Sequence, residues 1–346
     1  MSNELILHLG TPKTGTTSIQ RFLSSNKKML RTNGIVYPES LIDNSHHTES
    51  LILARLFKPD QSFDWSSRIN EVAEKYRGKE IEIIENIKAE FDSLKMENKK
   101  LILSAETFFK LFNTEHKIKM LLKFFPDFKI KAIVYLRRVD RQLESAAKQG
   151  LKQRKISFNY LRKRKKNIAR QQYMILPALE SWSTCIGKEN LVVRPFEYEQ
   201  LESSDVVMDF LKHAGLNEIK YHKDSFQLNS SVPIELLEFF HSIKVRYHLD
   251  YTFFPQKIAL SLCERLKEKG YSFHSYSIFS PKVRRRLILE FQSIYNRIAQ
   301  EYTSDDNGFF KEPIPKRNEK WKVYNRLKRK DIESFLSELL KGEIFP

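Results

Sequence analysis

Cysteine is scarce in this sequence, and long apolar runs are missing. Two cysteines occur among 346 residues, too few for a disulfide framework. No histidine lies at zinc-ligand spacing from either one, so we expect Cys185 and Cys263 to be buried as small apolar side chains. No apolar run approaches the roughly 20 residues that a membrane-spanning helix needs. The sequence therefore predicts neither a disulfide-rich domain nor a membrane span.

A signal-peptide pattern is also missing from the amino terminus. Such a peptide joins a basic region, an apolar region and a small-residue cleavage site, whereas residues 4–9 already have the composition of a strand. From this we predict a cytoplasmic protein.

Basic residues, in contrast, are abundant. The formal net charge is +17, while 41% of the residues are hydrophobic and 30% are charged. The chain can therefore build a core and remain soluble. Its charge suits nucleic acid, an anionic membrane surface, or a polyanionic ligand and acceptor, and it is equally compatible with a charge that serves solubility alone.

Short apolar runs alternate with helical patterns in the first 200 residues. Runs with the composition of buried parallel strands occur at 5–9, 35–37, 101–103, 130–136 and 191–193. After the first run, apolar residues three and four apart predict one helix that ends at Gly34. This alternation is typical of an α/β fold, here a central parallel sheet of about five strands flanked by helices. Ligands of such sheets bind beyond the carboxyl ends of the strands.

Helical periodicity dominates after residue 200. It predicts helices over 206–214, 234–247, 258–269 and 283–302. We therefore predict one domain over residues 1–310, with an α/β core (4–200) and a helical C-terminal addition (201–310). Residues 311–346 form a basic C-terminal extension in this division.

The most informative segment is the loop after the first strand, Gly-Thr-Pro-Lys-Thr-Gly-Thr-Thr at residues 10–17. Exposed backbone N–H groups and the helix dipole attract anions where such a loop opens a helix. Gly10 and Gly15 permit a tight turn and a close backbone approach. Further hydroxyl donors come from Thr14, Thr16 and Thr17. The segment therefore predicts a phosphate-binding loop.

This loop differs from that of nucleotide kinases, whose pattern is G-x-x-x-x-G-K-[ST]. Gly10 and Gly15 have the same separation, and Thr17 occupies the Ser/Thr position. The lysine position holds Thr16, however, and the nearest lysine is Lys13, at the tip of the loop. There its ammonium group can reach the bridging oxygen of a terminal group.

The run Pro12, Lys13, Thr14, Gly15, Thr16 and Thr17 resembles the 5′-phosphosulfate loop of sulfotransferases that use 3′-phosphoadenosine 5′-phosphosulfate (PAPS). The resemblance implies a P-loop-like fold, transfer of a sulfuryl group from PAPS with PAP as product, a catalytic Lys13, and no required metal. Weaker similarity to bacterial members of the family runs along parts of residues 173–211, and the resemblance as a whole covers about residues 4–215.

The same resemblance predicts a second signature, an arginine at a strand end with a serine eight residues later. Arg137 follows the fourth predicted strand, and Ser145 stands at the expected position. An arginine fork and a hydroxyl suit a 3′-phosphate. The proline usual shortly after the arginine is replaced by Val139, which makes the start of the following helix less rigid without removing a donor.

Sulfuryl transfer needs a base that takes a proton from the acceptor. Glu106 is one candidate, because it follows the third predicted strand at its carboxyl end; it would equally suit the N-terminus of the next helix. His46 and His47, in a loop before a predicted helix over 50–57, are the alternative, and His47 is the catalytic candidate of that pair.

The acceptor is not specified by the sequence. A basic run over 148–166 could bind an anionic acceptor such as an acidic glycan or a lipid-linked saccharide, or it could be a solvated surface. Two other functions compete with a sulfotransferase, namely a metal-dependent kinase and a basic nucleic-acid-binding protein. The kinase would need a lysine at position 16 and an Asp that holds magnesium, and the sequence offers neither clearly. The nucleic-acid-binding protein leaves both phosphate signatures unexplained, so we expect no nucleic-acid partner; the oligomeric state stays open.

Overall fold

The computed structural model describes residues 3–38, 78–106, 108–152, 158–217, 232–246, 256–273, 277–303, 305, 307–322, 324 and 327–341. Its sheet has the order β2-β3-β1-β4-β5, and all paired strands are parallel. The strands are β1 (Glu4–Leu9), β2 (Ile35–Val36), β3 (Lys100–Ala105), β4 (Lys129–Leu136) and β5 (Leu191–Pro195). The predicted α/β fold with five parallel strands is confirmed.

The strands are apolar along almost their whole length because helices cover both faces of the sheet. In the central strand β1, Leu5, Ile6 and Leu7 are fully buried. Leu9 is paired with Ala105, so β1 and β3 end at the same edge of the sheet. The residues that follow these strands therefore emerge close together, at the edge where ligands bind in such folds.

Helices flank the sheet and extend beyond it. The described helices are α1 (Thr16–Ser25), α2 (Lys27–Thr32), α3 (Glu80–Asp92), α4 (Phe108–Leu111), α5 (Glu115–Leu122), α6 (Val139–Lys152), α7 (Phe158–Tyr173), α8 (Ile175–Ile186), α9 (Val206–His213), α10 (Ile234–Arg246), α11 (Gln256–Glu268), α12 (Pro281–Glu290), α13 (Gln292–Ile298) and α14 (Arg329–Lys341). A π-helical turn (Ala299–Thr303) follows α13.

Two predicted helices are each divided in the structure. The helix expected to run to Gly34 breaks at Asn26, whose backbone and side-chain N–H groups both donate to the carbonyl of Phe22. The backbone bond is the ordinary helical one, whereas the side-chain bond to the same carbonyl competes with continuation of the helix. The helix expected over 283–302 breaks at Phe291 and then widens into the π-helical turn. Apolar periodicity continues across both breaks, so it could not reveal them.

The chain forms two compact units. The first comprises residues 1–138, 171–228 and 292–312 and contains the sheet. Its core includes the buried side chains of Ile6, Ile102 and Phe210. The second comprises 139–170, 229–291 and 313–346, and its described secondary structure is helical. The division at 200 and 310 remains a prediction.

The second unit has a core of its own. Aromatic rings pack there with edge and tilted contacts, as between Phe239 and Phe335 at 5.4 Å. Cys263 is buried in this core, as expected. The expectation was wrong for Cys185, which is only half-buried on α8, because position 185 lies at the edge of the apolar face of that helix.

No helix in the described parts of the chain is both long enough and apolar enough to cross a membrane.

Candidate functional site

The loop between β1 and α1 has an unusual backbone conformation. Lys13 has a φ of 68° and Gly15 has a φ of 80°, so the chain enters the left-handed region twice within three residues. A lysine in this region costs conformational energy, which only the surrounding structure can offset. Successive amides in such a loop point into one concavity and form an anion-binding nest. The first amides of α1 add to it, because they have no acceptor within their own helix.

Two threonines hold the loop in this shape. The Thr11 hydroxyl donates to the carbonyl oxygen of Tyr135 on β4 at 2.6 Å. The Thr14 hydroxyl donates to the carbonyl oxygen of Thr11 at 2.8 Å, and Thr14 is fully buried. The Thr14 hydroxyl was expected to be a phosphate donor; in this structure its proton is used inside the loop, and its part in binding stays a prediction. What Thr14 can offer to a ligand is its backbone N–H.

Both glycines of the loop lie against other backbone or side-chain atoms. A β-carbon at Gly10 would lie 2.6 Å from the Ala105 carbonyl oxygen and 2.6 Å from the Glu106 α-carbon. A β-carbon at Gly15 would lie 2.8 Å from a methyl carbon of Val206 and would also press on the Phe196 ring. Larger residues at either position would displace the loop. The glycine spacing therefore reflects close packing as well as backbone freedom.

Thr16 occupies the lysine position of the kinase pattern. Its hydroxyl oxygen is buried, and within the described residues it has no hydrogen-bond partner. A buried hydroxyl without a partner costs about 1–3 kcal/mol. It also lies beside Gly10, at 2.9 Å from the β-carbon position there. A buried polar atom of this kind, next to an anion-binding nest, fits a loop that receives a ligand oxygen.

Arg137 reaches the loop from the end of β4. Its Nη1 donates to the carbonyl oxygen of Lys13 at 2.6 Å. Its guanidinium carbon lies 5.3 Å from the centre of the Phe196 ring, within the range of a cation–π contact. The same ring packs against Gly15. The two sequence signatures, loop and strand-end arginine, are thus brought together in one unit.

Sequence analysis missed the part of Phe196. This residue directly follows β5, and its amide donates to the Leu136 carbonyl oxygen at 2.7 Å. Its only sequence signal was its place after a predicted strand. Its ring contacts both the loop and Arg137, so it fixes the guanidinium relative to the nest.

Glu106 follows β3 at the same edge of the sheet. It is half-buried, and its α-carbon faces Gly10, whose amide donates to the Ala105 carbonyl oxygen at 2.9 Å. Its backbone is thereby fixed beside the first residue of the loop. Its role as the base stays a prediction.

The remaining predicted site residues lie as follows. Pro12 and Thr17 are half-buried within the loop and at the start of α1. Ser145 is half-buried on α6, in the second unit, and its part in binding stays a prediction. His46 and His47 lie outside the described residues.

A buried ionic network lies behind the strand that anchors the loop. The Tyr135 hydroxyl donates to Asp209 at 2.9 Å, and Arg194 forms a two-pronged bond to the same carboxylate at 2.8 and 3.1 Å. Burial opposes ionisation of Asp209, yet the bonds from Arg194 hold its pKa below the usual value. Burial, followed by the Asp209 charge, raises the pKa of Tyr135 well above normal. The network fixes β4, β5 and α9 relative to one another.

His8 lies two residues before the loop and is fully buried. Its Nδ1 is 2.8 Å from the Ser104 hydroxyl on β3, and its ring packs 5.5 Å from that of Phe210. Burial lowers the pKa of His8 to about 3, so the ring is neutral at ordinary pH. His8 therefore supports the loop from below as an uncharged core residue.

Within the described ranges, no three or more His, Cys, Asp or Glu side chains are grouped so that they could hold a metal ion.

No family model matches the chain. No curated protein matches it either. Among solved structures, the chain is similar to the crystal structure of a sulfotransferase from Alicyclobacillus acidocaldarius, with 15% identity and a TM-score of 0.41 over 73% of this chain and 98% of that one. At these values the similarity is distant.

Proposed function

We propose that this protein is a PAPS-dependent sulfotransferase that transfers a sulfuryl group to a hydroxyl or amine of a saccharide or small metabolite in the cytoplasm. The observation that carries the proposal is the 2.6 Å hydrogen bond from Arg137 to the backbone of Lys13. This bond joins the loop of residues 12–17 to the arginine at the end of β4. By the family resemblance, these two signatures bind the 5′-phosphate and the 3′-phosphate of one nucleotide. A chance match of either motif would not require them to meet.

Each side chain of the site has a role in this proposal. The backbone amides of residues 14–17 bind the 5′-phosphate, as the left-handed loop and the start of α1 favour. Arg137 and Ser145 bind the 3′-phosphate. PAPS, when bound, supplies the activated sulfuryl group.

The proposed chemistry uses Lys13 and Glu106. The Lys13 ammonium group stabilises the negative charge that develops on the bridging oxygen as the bond to sulfur breaks. The Glu106 carboxylate accepts the proton that the attacking hydroxyl or amine loses. The donor product is PAP, and the family resemblance implies that no metal ion is required.

The closest alternative is a kinase that uses ATP and magnesium. That chemistry relies on a lysine at position 16, whereas this chain has a threonine packed beside Gly10. Thr16 has no ammonium group that could lie along the outer phosphates of ATP. The absence of this lysine supports the sulfotransferase over the kinase.

Thermal unfolding with different ligands tests the proposal. PAP in the presence of a chelator should raise the melting temperature, whereas ATP with magnesium should not. At 100 times its Kd, a ligand adds about 2.7 kcal/mol to the free energy of unfolding, which is easily measured. Arg21→Ala, at an exposed position on α1, is the control variant. Stabilisation by ATP with magnesium and not by PAP would refute the proposal. Label transfer from PAPS to candidate acceptors then tests the reaction.

A further inference from the structure

The net charge of this protein is confined to one of its two units. The first unit contains 30 Lys and Arg residues and 30 Asp and Glu residues, whereas the second contains 30 and 13. The formal charge of +17 therefore belongs entirely to the second unit. If the charge served solubility alone, both units would be expected to carry part of it, yet the sheet-containing unit is neutral.

Part of this charge lies on two neighbouring elements of the second unit. The segment 313–322 contacts α12 and the residues before it at two points. Arg285 Nη1 donates to the Pro315 carbonyl oxygen at 3.4 Å, and Trp321 Nε1 donates to the Ser277 carbonyl oxygen at 2.9 Å. These bonds hold both ends of the segment against one side of the α12 region.

Exposed cations project from both elements. Lys282 and Arg286 are exposed four residues apart on α12, so they share one side of the helix. The segment 313–322 contributes further exposed cations. We refer to these residues together as the basic face: Lys282, Arg286, Lys316, Arg317 and Lys320.

Nearby acidic groups do not cancel this charge. Arg284 has its own partner, the buried carboxylate of Asp140, at 2.7 Å, and is not part of the basic face. Glu319 is the acidic residue of the segment 313–322 in the sequence, and it accepts a hydrogen bond from the Lys316 amide at 3.0 Å. Glu290, exposed on α12 four residues after Arg286, is a second carboxylate on that side of the helix. Two carboxylates against five exposed cations leave the face with a net positive charge.

We infer that the basic face binds an acidic polysaccharide, which is the acceptor of the proposed sulfuryl transfer. The inference rests on the proposed function, because that reaction needs an acceptor hydroxyl and a polysaccharide supplies many. A repeating anion also matches a surface whose cations are spread over two elements, since each contact adds a small favourable term. A small neutral metabolite would gain nothing from such a charge.

The surroundings of the face favour a polysaccharide over nucleic acid. Proteins that bind single strands present open aromatic rings on which bases stack. Among the described residues beside the basic face, the aromatic residues Phe279 and Trp321 are half-buried, and the Trp321 indole is bonded to Ser277. The face thus offers charge with little stacking surface.

Binding to labelled polygalacturonate fragments, measured by fluorescence anisotropy on the full chain, tests the inference. The test variant carries Arg286→Gln, Lys316→Gln, Arg317→Gln and Lys320→Gln. The matched control carries four neutralisations at exposed lysines of the first unit, Lys28→Gln, Lys95→Gln, Lys123→Gln and Lys129→Gln. At roughly 0.1 M salt, the test variant should bind at least about tenfold more weakly than the wild type. Its affinity should also depend less steeply on salt, while the control variant keeps both properties.

Two further probes complete the test. A labelled oligothymidylate and neutral dextran should both bind more weakly than polygalacturonate to the wild type. An equal loss in the control variant, tighter binding of the oligonucleotide, or no binding of polygalacturonate would each overturn the inference. The PAP-induced melting shift, measured on all three proteins, separates this outcome from failure of the proposed function. If PAP stabilises every variant while polygalacturonate binds none, only the inference about the acceptor fails.

Discussion

The guanidinium group of Arg137 donates a hydrogen bond to the backbone carbonyl oxygen of Lys13 over 2.6 Å. These residues are 124 positions apart in the chain. The bond supports the loop at the residue with the left-handed φ of 68°, where a side chain other than glycine is disfavoured. Arg137 therefore acts on the loop conformation as well as on any anion within reach.

Replacing Arg137 by alanine should weaken PAP binding by roughly ten- to a hundredfold, because charge-assisted contacts contribute about 1.5–3 kcal/mol each. Isothermal titration calorimetry measures this effect, with Arg21→Ala as the control. Arg137→Lys keeps the charge but loses the planar fork, and should recover only part of the affinity. An unchanged Kd for Arg137→Ala would remove this residue from the site.

Replacing Lys13 by alanine should lower turnover by roughly 10²–10³, by analogy with removing one donor from an oxyanion hole. PAP binding should fall much less, since PAP lacks the sulfuryl group and the backbone amides still hold the phosphate. Lys13→Arg should rescue turnover only in part.

A second variant at this position separates chemistry from loop strain. Lys13→Gly removes the same ammonium group but accepts the positive φ without cost. Urea unfolding should show it to be at least as stable as Lys13→Ala, while its turnover is equally low. Equal losses of turnover and PAP affinity in both variants would make Lys13 a binding residue only.

Replacing Glu106 by glutamine should lower turnover by about 10²–10⁴ while PAP affinity stays nearly unchanged, as expected for loss of a general base. The substitution keeps the size of the side chain beside Gly10, so the loop should retain its packing. Steady-state kinetics and PAP titration on one preparation measure both quantities. Full activity of Glu106→Gln together with inactive His46→Ala or His47→Ala would move the base to the histidine loop.

Acid should destabilise the fold through His8. The unfolded chain takes up a proton at His8 near pH 6.5, whereas burial lowers the pKa in the folded state to about 3. The unfolded state therefore binds more protons between these values, and the free energy of unfolding decreases by about 1.4 kcal/mol per pH unit as the pH falls through this window. The stabilisation is fully present above about pH 6.5.

Urea unfolding of His8→Gln and the wild type at pH 7, 6 and 5 measures this contribution. The free energy of unfolding of the variant should depend less steeply on pH, by an amount that corresponds to about one proton, whatever its absolute stability. His116→Gln, at an exposed position on α5, is the control and should keep the wild-type slope. Parallel slopes for His8→Gln and the wild type would exclude His8 as the source.

The sheet and its ligand-binding edge were predictable from local patterns. Continuous apolar runs identified β1, β3, β4 and β5, because a parallel strand buried on both faces needs such a run. The glycine spacing of residues 10–15 identified a tight loop after β1, since only glycine fits where backbone atoms approach within 3 Å. These features depend on neighbours in the chain, and their signals lie within about ten residues.

The contacts of Thr14, Phe196 and Arg137 depend on the tertiary structure. Thr14 stands at a loop position that is typical of a phosphate-binding threonine. In the folded loop, however, its hydroxyl donates to the Thr11 carbonyl oxygen. Phe196 has no motif, and its position depends on where β5 ends relative to Gly15. The division of the charge between the two units likewise appears only after residues 139–170, 229–291 and 313–346 have come together. Sequence periodicity determines which residues form strands and helices. Contacts between residues more than a hundred positions apart follow instead from the pairing of strands and the packing of buried side chains. No local sequence pattern records these contacts.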